Sequence, residues 1–530
     1  MPIPGHHDAW WRDAVIYQVY PRSFADGDGD GVGDLAGLLT RLPYLASLGV
    51  DGVWITPFQP SPQVDQGYDV SDYCGVDPLF GTLEQFDYVL DAAHTSGLRV
   101  LLDVVPNHCS DQHPLFRAAI AAAPGSPERA MFHLEDGPDG DTPPNNWRSV
   151  FGGPAWTRVD PTSATDLQWY LHLFSPAQPD WNWRNPAVGD YFEGVLRFWF
   201  DRGVDGVRVD VAHALFKADG LPDTTGTGSV VDGLRSNPQV SDQEEVHGVY
   251  RRWRRVADSY TPGRVLVGEV NLDPHRAARY TRHDELHQAF AFTFAKLGWD
   301  PEAWARVGTE LEAGRREHGA PPTWALENHD IVRTVTRFGG GTRGTARARA
   351  GLLAVLGLPG GAYLYQGQEL GLPEVEVPPD ARQDPMWVRG GVSRDGARIP
   401  LPWTVAPEGS FGFSPAHAEP PWLPTPAAWG SHSVEANEHD VGSSLHLVRT
   451  ALRVRKELAE RGVLSPDDGG TWRVDDGGLL ICERSARFLV AVAMGEEPVR
   501  LPEGDVVLAS LPLTFGGLLP PDAAAWVVRR

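Results

Sequence analysis

An arginine and an aspartate lie two residues apart in a short apolar run, GVDGVRVDVAH, at residues 203–213. Residues two apart in a β-strand point to the same side, so Arg208 and Asp210 would project together from the strand's C-terminal end. A guanidinium beside a carboxylate favours its ionised form, and an ionised, positioned carboxylate can act as a nucleophile. A structural ion pair is the alternative interpretation, and the rest of the chain must decide between the two.

Three further apolar runs end on polar residues. The run at 97–105 is followed by His108, VLVG is followed by Glu269, and TWALEN is followed by His329 and Asp330. Each residue alone has an ordinary structural explanation, such as a helix cap or a surface charge. Together they would bring three carboxylates, two histidines and an arginine to one place, and burying so much charge is costly unless it has a function.

The elements that position these residues alternate along the chain. An alternation of strands and helices at this spacing indicates parallel strands joined by crossover helices. Eight strands predict an α/β fold, a (β/α)8 TIM barrel, whose C-terminal face carries the active site in barrel enzymes. The predicted strands lie near residues 14–20, 49–57, 97–108, 204–210, 264–269, 290–294, 323–327 and 362–366, and the clearest helical patterns near 35–48, 83–96, 191–202 and 244–259.

One stretch interrupts the barrel and another follows it. Residues 109–176 are rich in Pro, Gly, Asp, Asn and Trp and are too long for an ordinary loop, which predicts an inserted subdomain after strand three. In residues 466–530, short apolar runs separated by turn residues predict a C-terminal antiparallel β-sandwich domain. The barrel itself then comprises residues 1–108 and 177–465.

Paired carboxyl groups that face a neutral substrate are the groups that glycoside hydrolysis requires. One carboxylate attacks the anomeric carbon, and a second carboxyl group protonates the leaving oxygen. Asp210 has an arginine beside it and is the predicted nucleophile, whereas Glu269 follows apolar residues and is the predicted general acid and then base. Asp330 could bind sugar hydroxyls and favour the distorted ring of the oxocarbenium-like transition state.

The segment DGDGDGVGD, near the N-terminus, resembles the first part of an EF-hand calcium loop. Its aspartates would supply hard oxygen ligands, and its glycines allow a tight loop. The bidentate glutamate of a true EF-hand is missing, and a solvated acidic turn is the alternative interpretation. We expect a structural Ca²⁺, with Mg²⁺ as the other candidate ion. The candidate ligands are Asp26, Asp28, Asp30, the backbone carbonyl of Val32, and Asp34.

Composition excludes several classes of partner. The 530 residues carry a formal net charge of −24, which argues against binding to nucleic acid or to an anionic membrane surface. We see no secretory signal and no apolar run of about 18 residues that could span a membrane. The cysteines, Cys74, Cys109 and Cys482, are odd in number and scattered, which is typical of a reducing compartment. We therefore expect a cytoplasmic protein with a neutral small-molecule substrate; the sequence leaves the oligomeric state open.

These motifs resemble those of glycoside hydrolase family 13, the α-amylase family, and within it the α-glucosidase and oligo-1,6-glucosidase branch. The segments DVVPNH, GVRVDVAH, VGEV and ENHD match the four signature regions of the family in order, and QPDWNWRNP resembles an additional region. Similar segments extend from YQVYPRSFAD to SRDGARIPLPW, so the resemblance covers nearly the whole chain.

The resemblance implies a retaining double displacement in which Asp210 is the nucleophile, Glu269 is the acid/base and Asp330 stabilises the transition state. It also implies a pocket that binds the glucose unit at the nonreducing end of the substrate, and it matches the aspartate loop to a calcium site of the branch. The side chains that the resemblance assigns to the pocket are Tyr68, Asp69, His108, Phe151, Arg208, His329 and Arg398.

Linkage preference is the open question at this stage. Val211, directly after the nucleophile, resembles members that cleave α-1,6 links, whereas Ala212 and His213 resemble bacterial α-1,4-glucosidases. We expect the enzyme to release glucose from short α-glucosides, with maltose and malto-oligosaccharides favoured. The alternatives are an oligo-1,6-glucosidase, a transglucosidase, and a sucrose-hydrolysing or isomerising relative. A non-catalytic member that carries a membrane anchor, or a calcium-dependent sugar-binding protein, would not need the three carboxylates.

Overall fold

The computed structural model describes residues 7–163, 165–225, 234 and 237–530. Its strands are β1 Val15–Val19, β2 Gly52–Ile55, β3 Arg99–Val104, β4 Leu134–Asp136, β5 Trp156–Arg158, β6 Gln168–Leu171, β7 Gly206–Val209, β8 Val265–Gly268, β9 Gln288–Ala289, β10 Thr323–Ala325, β11 Gly361–Tyr365, β12 Thr471–Asp475, β13 Leu479–Ser485, β14 Phe488–Ala493, β15 Asp505–Ala509 and β16 Ala523–Val528. Its helices are α1 Leu35–Leu48, α2 Leu83–Thr95, α3 Pro114–Ala121, α4 Pro186–Asp201, α5 Val246–Asp258, α6 Pro274–Ala278, α7 Phe292–Ala295, α8 Pro301–His318, α9 Thr334–Arg337, α10 Gly341–Gly357, α11 Pro385–Gly390, α12 Glu408–Gly412, α13 Val434–His439 and α14 Ser444–Glu460.

Eight parallel strands form the barrel, in the order β10-β11-β1-β2-β3-β7-β8-β9. A further parallel bridge joins Phe290, just after β9, to Thr323 in β10, so the ring of strands closes. This confirms the predicted TIM barrel. The predicted sixth strand was misplaced, because residues 292–295 form a helix and the strand is Gln288–Ala289.

Helix α1 shows how local sequence sets an element that positions a site. Its apolar residues recur at helical spacing and are buried against the barrel, among them Leu38, Leu42 and Leu45. The helix begins at Asp34, whose Oδ1 accepts a hydrogen bond from the backbone N–H of Gly37 at 2.6 Å. The helix cap is therefore also the last aspartate of the candidate calcium loop.

The inserted stretch forms the predicted small subdomain. Its strands β4, β6 and β5 pair in that order as an antiparallel sheet. Trp147, Trp156 and Leu173 belong to an apolar cluster that also contains Val211, the residue after Asp210. The subdomain thus packs directly on the chain segment that carries the predicted nucleophile.

The C-terminal strands form one antiparallel sheet in the order β12-β13-β14-β16-β15. Among the described residues it is a single sheet, not the predicted sandwich of two. The sheet packs on barrel helices α8 and α10, where the indole N–H of Trp526 donates to the Leu353 carbonyl at 2.9 Å. Within the described part of the chain, no helix is both long enough and apolar enough to cross a bilayer.

Candidate active site

A pocket lies at the C-terminal ends of the barrel strands and gathers most of the predicted site residues. Asp210 follows β7 and Glu269 follows β8, and parallel strands end on the same face of the barrel. Of the predicted residues, Tyr68, His108, Phe151, Asp210, Glu269, His329 and Asp330 line this pocket. Asp65, Val150, Phe174, Val211, His213, Leu234, Asn271 and Arg394 complete its wall.

Arg208 is fully buried and binds three carboxylates at once. Its Nη1 donates to Asp210 Oδ1 at 2.6 Å and to Asp103 Oδ1 at 2.7 Å, and its Nη2 donates to Glu269 Oε2 at 2.7 Å. The three acids come from the adjacent strands β3, β7 and β8 or the residues just after them, so the sheet order brings them together. Arg208 therefore holds the three carboxylates together and does not itself line the pocket.

One arginine does not compensate three carboxylates, of which Asp103 and Asp210 are buried and Glu269 is partly exposed. Burial, followed by the charges of Glu269 and Asp103, raises the pKa of Asp210 well above its ordinary value, although Arg208 opposes the shift. Burial likewise raises the pKa of Asp103 to about 6. Arg208 thus favours the ionised form of Asp210, as expected, but burial and the two neighbouring acids outweigh its effect on the pKa. The two terminal nitrogens of Arg208 hold the carboxyl groups of Asp210 and Glu269 side by side, so the charge of Glu269 acts on Asp210.

Asp330 lies in the opposite electrostatic environment. Burial alone would raise its pKa, but the interactions with His329, Arg394 and Arg398 outweigh burial and bring that pKa well below its usual range. Its Oδ1 accepts from Arg398 Nη2 at 2.8 Å and from Arg394 Nη1 at 3.0 Å. Asp330 is therefore a permanent anion at neutral pH.

The two site histidines are neutral at pH 7. Burial lowers the pKa of His108 and of His329 to about 3 each. The Gln18 amide donates to Nδ1 of His329 at 2.8 Å, so the ring proton lies on Nε2, which faces Asp330 Oδ2 at 3.3 Å. These rings can bind sugar hydroxyls without adding charge.

Asp69 does not reach the pocket, contrary to the assignment drawn from the resemblance. Its carboxylate is fully buried and accepts hydrogen bonds from the Ser61 hydroxyl and from the backbone N–H groups of Val64 and Asp65, at 2.8 to 3.0 Å. Asp69 therefore fixes the loop after β2. Asp65 lines the pocket instead, and burial raises its pKa to about 6.

Arg398 also lies behind the pocket wall, and Arg394, four residues earlier, faces it. The Arg398 side chain is about 1% exposed, and its Nε donates to the His329 carbonyl at 2.9 Å. Arg394 binds Asp384 through Nη2 at 2.7 Å and Asp65 through the same atom at 3.1 Å. Arg398 thus positions the segment that carries Asp330, while Arg394 forms part of the lining.

Aromatic rings supply the apolar part of the wall. The Tyr68 ring stacks on His329 with centroids 5.3 Å apart, and its hydroxyl donates to Asp103 at 3.3 Å. The Phe151 ring contacts Phe174 edge to face at 5.4 Å. Flat apolar surfaces beside hydrogen-bonding groups suit a sugar ring, whose faces are C–H and whose rim is hydroxyl.

Sequence reasoning missed five lining residues of the pocket that bear polar or aromatic groups. Arg394 lies in the quoted segment SRDGARIPLPW, four residues before Arg398, and Asp65 lies three residues before Tyr68, so pairing these two charges could have pointed to them. His213 and Asn271 follow Asp210 and Glu269 by three and two residues, whereas Phe174 had no such signal. These five residues complete the polar and aromatic lining of the pocket.

The aspartate loop has an arrangement that fits a cation. Carboxylate oxygens of Asp26, Asp28 and Asp34 lie within 4.8 Å of one another. Burial and the neighbouring aspartates raise the pKa of Asp34, which indicates negative charge that the described residues do not neutralise. Asp30 lies outside this convergent group, and its Oδ1 accepts from the Val32 N–H at 2.8 Å. Three of the predicted ligands therefore converge.

The fold and the site together define a glycoside hydrolase on a TIM barrel. A family model described as the α-amylase catalytic domain matches residues 18–462, and the chain belongs to that family. A probable α-glucosidase of Rhizobium meliloti is 41% identical over 84% of this chain and 82% of its own length. A trehalose-6-phosphate hydrolase of Escherichia coli is 36% identical over 86% and 85%. The crystal structure of an α-glucosyl transfer enzyme matches with a TM-score of 0.89 and 36% identity over 98% of this chain and 99% of that one. The relatives named as α-glucosidase and oligo-1,6-glucosidase place the chain in the glucosidase branch of the family.

Proposed function

We propose that this enzyme is a retaining α-glucosidase that releases α-glucose from the nonreducing end of short α-glucosides. The placement of Asp210 and Glu269 on the two terminal nitrogens of Arg208, at 2.6 and 2.7 Å, carries the proposal. An inverting enzyme keeps its carboxyl groups far enough apart for a water molecule, whereas a retaining enzyme brings them close together. Two carboxyl groups bound to one guanidinium fit the closer spacing of a retaining enzyme.

Each catalytic carboxyl group then has one role in each step. Asp210 attacks C1 while Glu269 gives its proton to the leaving oxygen, which forms a glucosyl ester on Asp210. In the second step, Glu269 takes a proton from water as the water attacks C1 and Asp210 departs. The permanent negative charge of Asp330 stabilises the positive charge that develops on the sugar ring in both transition states.

An exo mode of action is supported by the pocket wall. The ion pair of Arg394 with Asp65, at 3.1 Å, joins the loop after β2 to the loop after β11, and both residues line the pocket. The Arg394 guanidinium also lies over the Phe151 ring at 5.4 Å. A wall closed by this pair accepts the terminal glucose and excludes further sugars beyond it.

Maltose and malto-oligosaccharides are the proposed substrates. The relative named as a probable α-glucosidase is 41% identical, whereas a Bacillus subtilis relative named as a probable oligo-1,6-glucosidase is 33% identical. Glucosyl transfer is the second candidate activity, because the matching α-glucosyl transfer enzyme covers almost the whole chain. Hydrolysis and transfer share the glucosyl-enzyme and differ in whether water or a sugar attacks it.

We also propose that the aspartate loop binds Ca²⁺, through Asp26, Asp28 and Asp34. When bound, the ion would supply positive charge that neutralises these carboxylates. The loop is tied to a distant segment, because the Asp26 N–H donates to the Phe413 carbonyl at 2.8 Å and Trp422 N–H to the Gly31 carbonyl at 3.0 Å. Its proposed role is therefore structural.

A product profile tests the proposed function. Maltose, maltotriose, isomaltose, sucrose, trehalose and trehalose 6-phosphate are each incubated with the enzyme, and glucose and transfer products are measured together, with Glu269→Gln as the control. We expect glucose from maltose and maltotriose at the highest kcat/KM. A dominant yield of transfer products would favour the second candidate, and cleavage confined to trehalose 6-phosphate would contradict the proposed substrate class.

A further inference from the structure

Val211, directly after the nucleophile, has an unusual backbone conformation. Its φ is +44°, in the left-handed region that β-branched residues avoid. Such a conformation persists only where the surrounding structure imposes it, and it concentrates at functional sites. The residue is buried at the pocket wall. The surrounding structure must therefore enforce this conformation.

The inserted subdomain supplies the enforcing contacts. The Val211 side chain belongs to the apolar cluster of Trp147, Trp156, Leu171 and Leu173, which come from that subdomain. Burying this side chain offsets the backbone strain, because removing apolar surface from water stabilises the folded state. The subdomain therefore holds the main chain next to the nucleophile as well as covering the barrel.

The strained backbone directs its N–H at the acid/base. The Val211 N–H donates to Glu269 Oε2 at 3.0 Å, and Arg208 Nη2 donates to the same oxygen at 2.7 Å. The next N–H, that of Ala212, donates to the main-chain carbonyl of Glu269 at 3.0 Å. Consecutive backbone donors thus bind the side chain and the main chain of one residue.

We propose that Val211 is a positioning residue whose strained backbone N–H, together with Arg208, reserves Oε2 of Glu269 as a hydrogen-bond acceptor and so places the catalytic proton on Oε1. In the first step, the C1–O bond breaks, its electron pair stays on the leaving oxygen, and that oxygen takes the proton from Oε1 while an Asp210 oxygen bonds to C1. In the second step, a proton of the attacking water moves to Oε1. This inference rests on the proposed roles of Asp210 and Glu269.

An amide-to-ester replacement tests the proposal directly. Incorporating the α-hydroxy analogue of valine at position 211 deletes the N–H and keeps the side chain. Maltose needs a proton on its leaving oxygen, whereas the fluoride of α-glucosyl fluoride leaves with little help, and kcat/KM for both reports the first step. We expect the ratio of kcat/KM for maltose to that for α-glucosyl fluoride to fall by about tenfold or more, the effect of a hydrogen bond to a charged group. The same replacement at Ala212 is the matched control, because its N–H binds only the main chain of Glu269, and the ratio should change by less than about threefold.

Two ordinary substitutions provide a second test. Glycine adopts a positive φ without strain and alanine does not, so Val211→Gly should keep a higher ratio than Val211→Ala. A role in packing alone predicts the reverse, because alanine retains more of the side chain. Equal losses on both substrates, or a ratio in Val211→Ala that matches or exceeds that in Val211→Gly, would overturn the inference. If the wild-type enzyme cleaves neither substrate, the proposed function itself fails, which is a distinct result.

Discussion

Two clusters of charged side chains lie at the pocket. Acidic side chains outnumber basic ones in the first cluster, and basic side chains outnumber the acidic one in the second. In the first, Arg208 forms ion pairs with Asp103, Asp210 and Glu269. In the second, one carboxylate oxygen of Asp330 forms ion pairs with both Arg394 and Arg398. Burial and the excess of acidic groups in the first raise the pKa of Asp210, whereas His329 and the two arginines of the second outweigh burial and lower the pKa of Asp330. One barrel face thus carries a carboxyl group whose ionisation is disfavoured and another that is held as an anion.

The largest effect that distinguishes the clusters is expected from Asp210→Asn. Removing the nucleophile should lower kcat on maltose by about 10⁴-fold or more, because the covalent step has no substitute. Steady-state kinetics measures the loss of activity, and thermal unfolding checks that the variant is folded.

The same substitution should also change stability. A folded state that raises an acid's pKa binds more protons than the unfolded state, so Asp210 costs stability once the pH exceeds its unfolded pKa. We therefore expect Asp210→Asn to unfold at a higher temperature than wild type at pH 7, with a gap that closes towards pH 4. Near-normal turnover would contradict the role of Asp210.

The next effect tests whether the charge of Glu269 acts on Asp210. Glu269→Gln removes the charge that raises the pKa of Asp210, so Asp210 should ionise at lower pH in this variant. The acidic limb of the pH profile for α-glucosyl fluoride should therefore move to lower pH. The matched control is Glu327→Gln, which alters a buried carboxylate that binds Thr334 and Arg333 away from the pair. An acidic limb that stays in place in Glu269→Gln would show that the two groups titrate independently.

A smaller effect separates the two aspartates of the loop after β2. Asp65→Asn removes a pocket carboxylate and should raise KM for maltose by about tenfold, with a small change in melting temperature. Asp69→Asn replaces one carboxylate oxygen with an NH2 group, which cannot accept the hydrogen bonds of this loop, and should lower the melting temperature with a smaller change in KM. The reverse pattern would show that Asp69, and not Asp65, contributes to substrate binding.

The smallest effect concerns the aspartate loop, far from both clusters. Chelation should lower the melting temperature of the wild-type enzyme by a few degrees, because a ligand that binds only the folded state stabilises it. Asp28→Asn should abolish this sensitivity to chelator, and added Ca²⁺ should restore the wild-type value only in the wild type. A melting temperature that does not respond to stringent chelation would argue against the site.

The sequence predicted the barrel because apolar runs and helical patterns alternate at a regular spacing, which only a few architectures accommodate. It misplaced the sixth strand, since Phe290 to Phe294 is apolar enough for a strand or a helix and periodicity cannot separate short runs. It predicted a sandwich at the C-terminus because alternating strands do not reveal how many sheets they form.

The carboxylates of the site were predictable because each follows a strand that ends on the same face. The exact partners were not, because side chains a few residues apart in a loop point in different directions. Asp69 and Asp65 illustrate this: one binds its own loop and the other faces the pocket. The pKa of Asp210 depended on how many acids share Arg208, which requires three strands to be placed side by side.

The most direct test of the central claim is to trap the glucosyl-enzyme. The enzyme is incubated with 5-fluoro-α-glucosyl fluoride, which slows the second step, and the labelled peptide is identified by mass spectrometry, with Asp210→Asn as the control. The proposed mechanism predicts a single glucosyl ester on Asp210 in the wild type and none in the variant. A label on another carboxylate, or turnover with no covalent adduct and β-glucose as the first product, would contradict it.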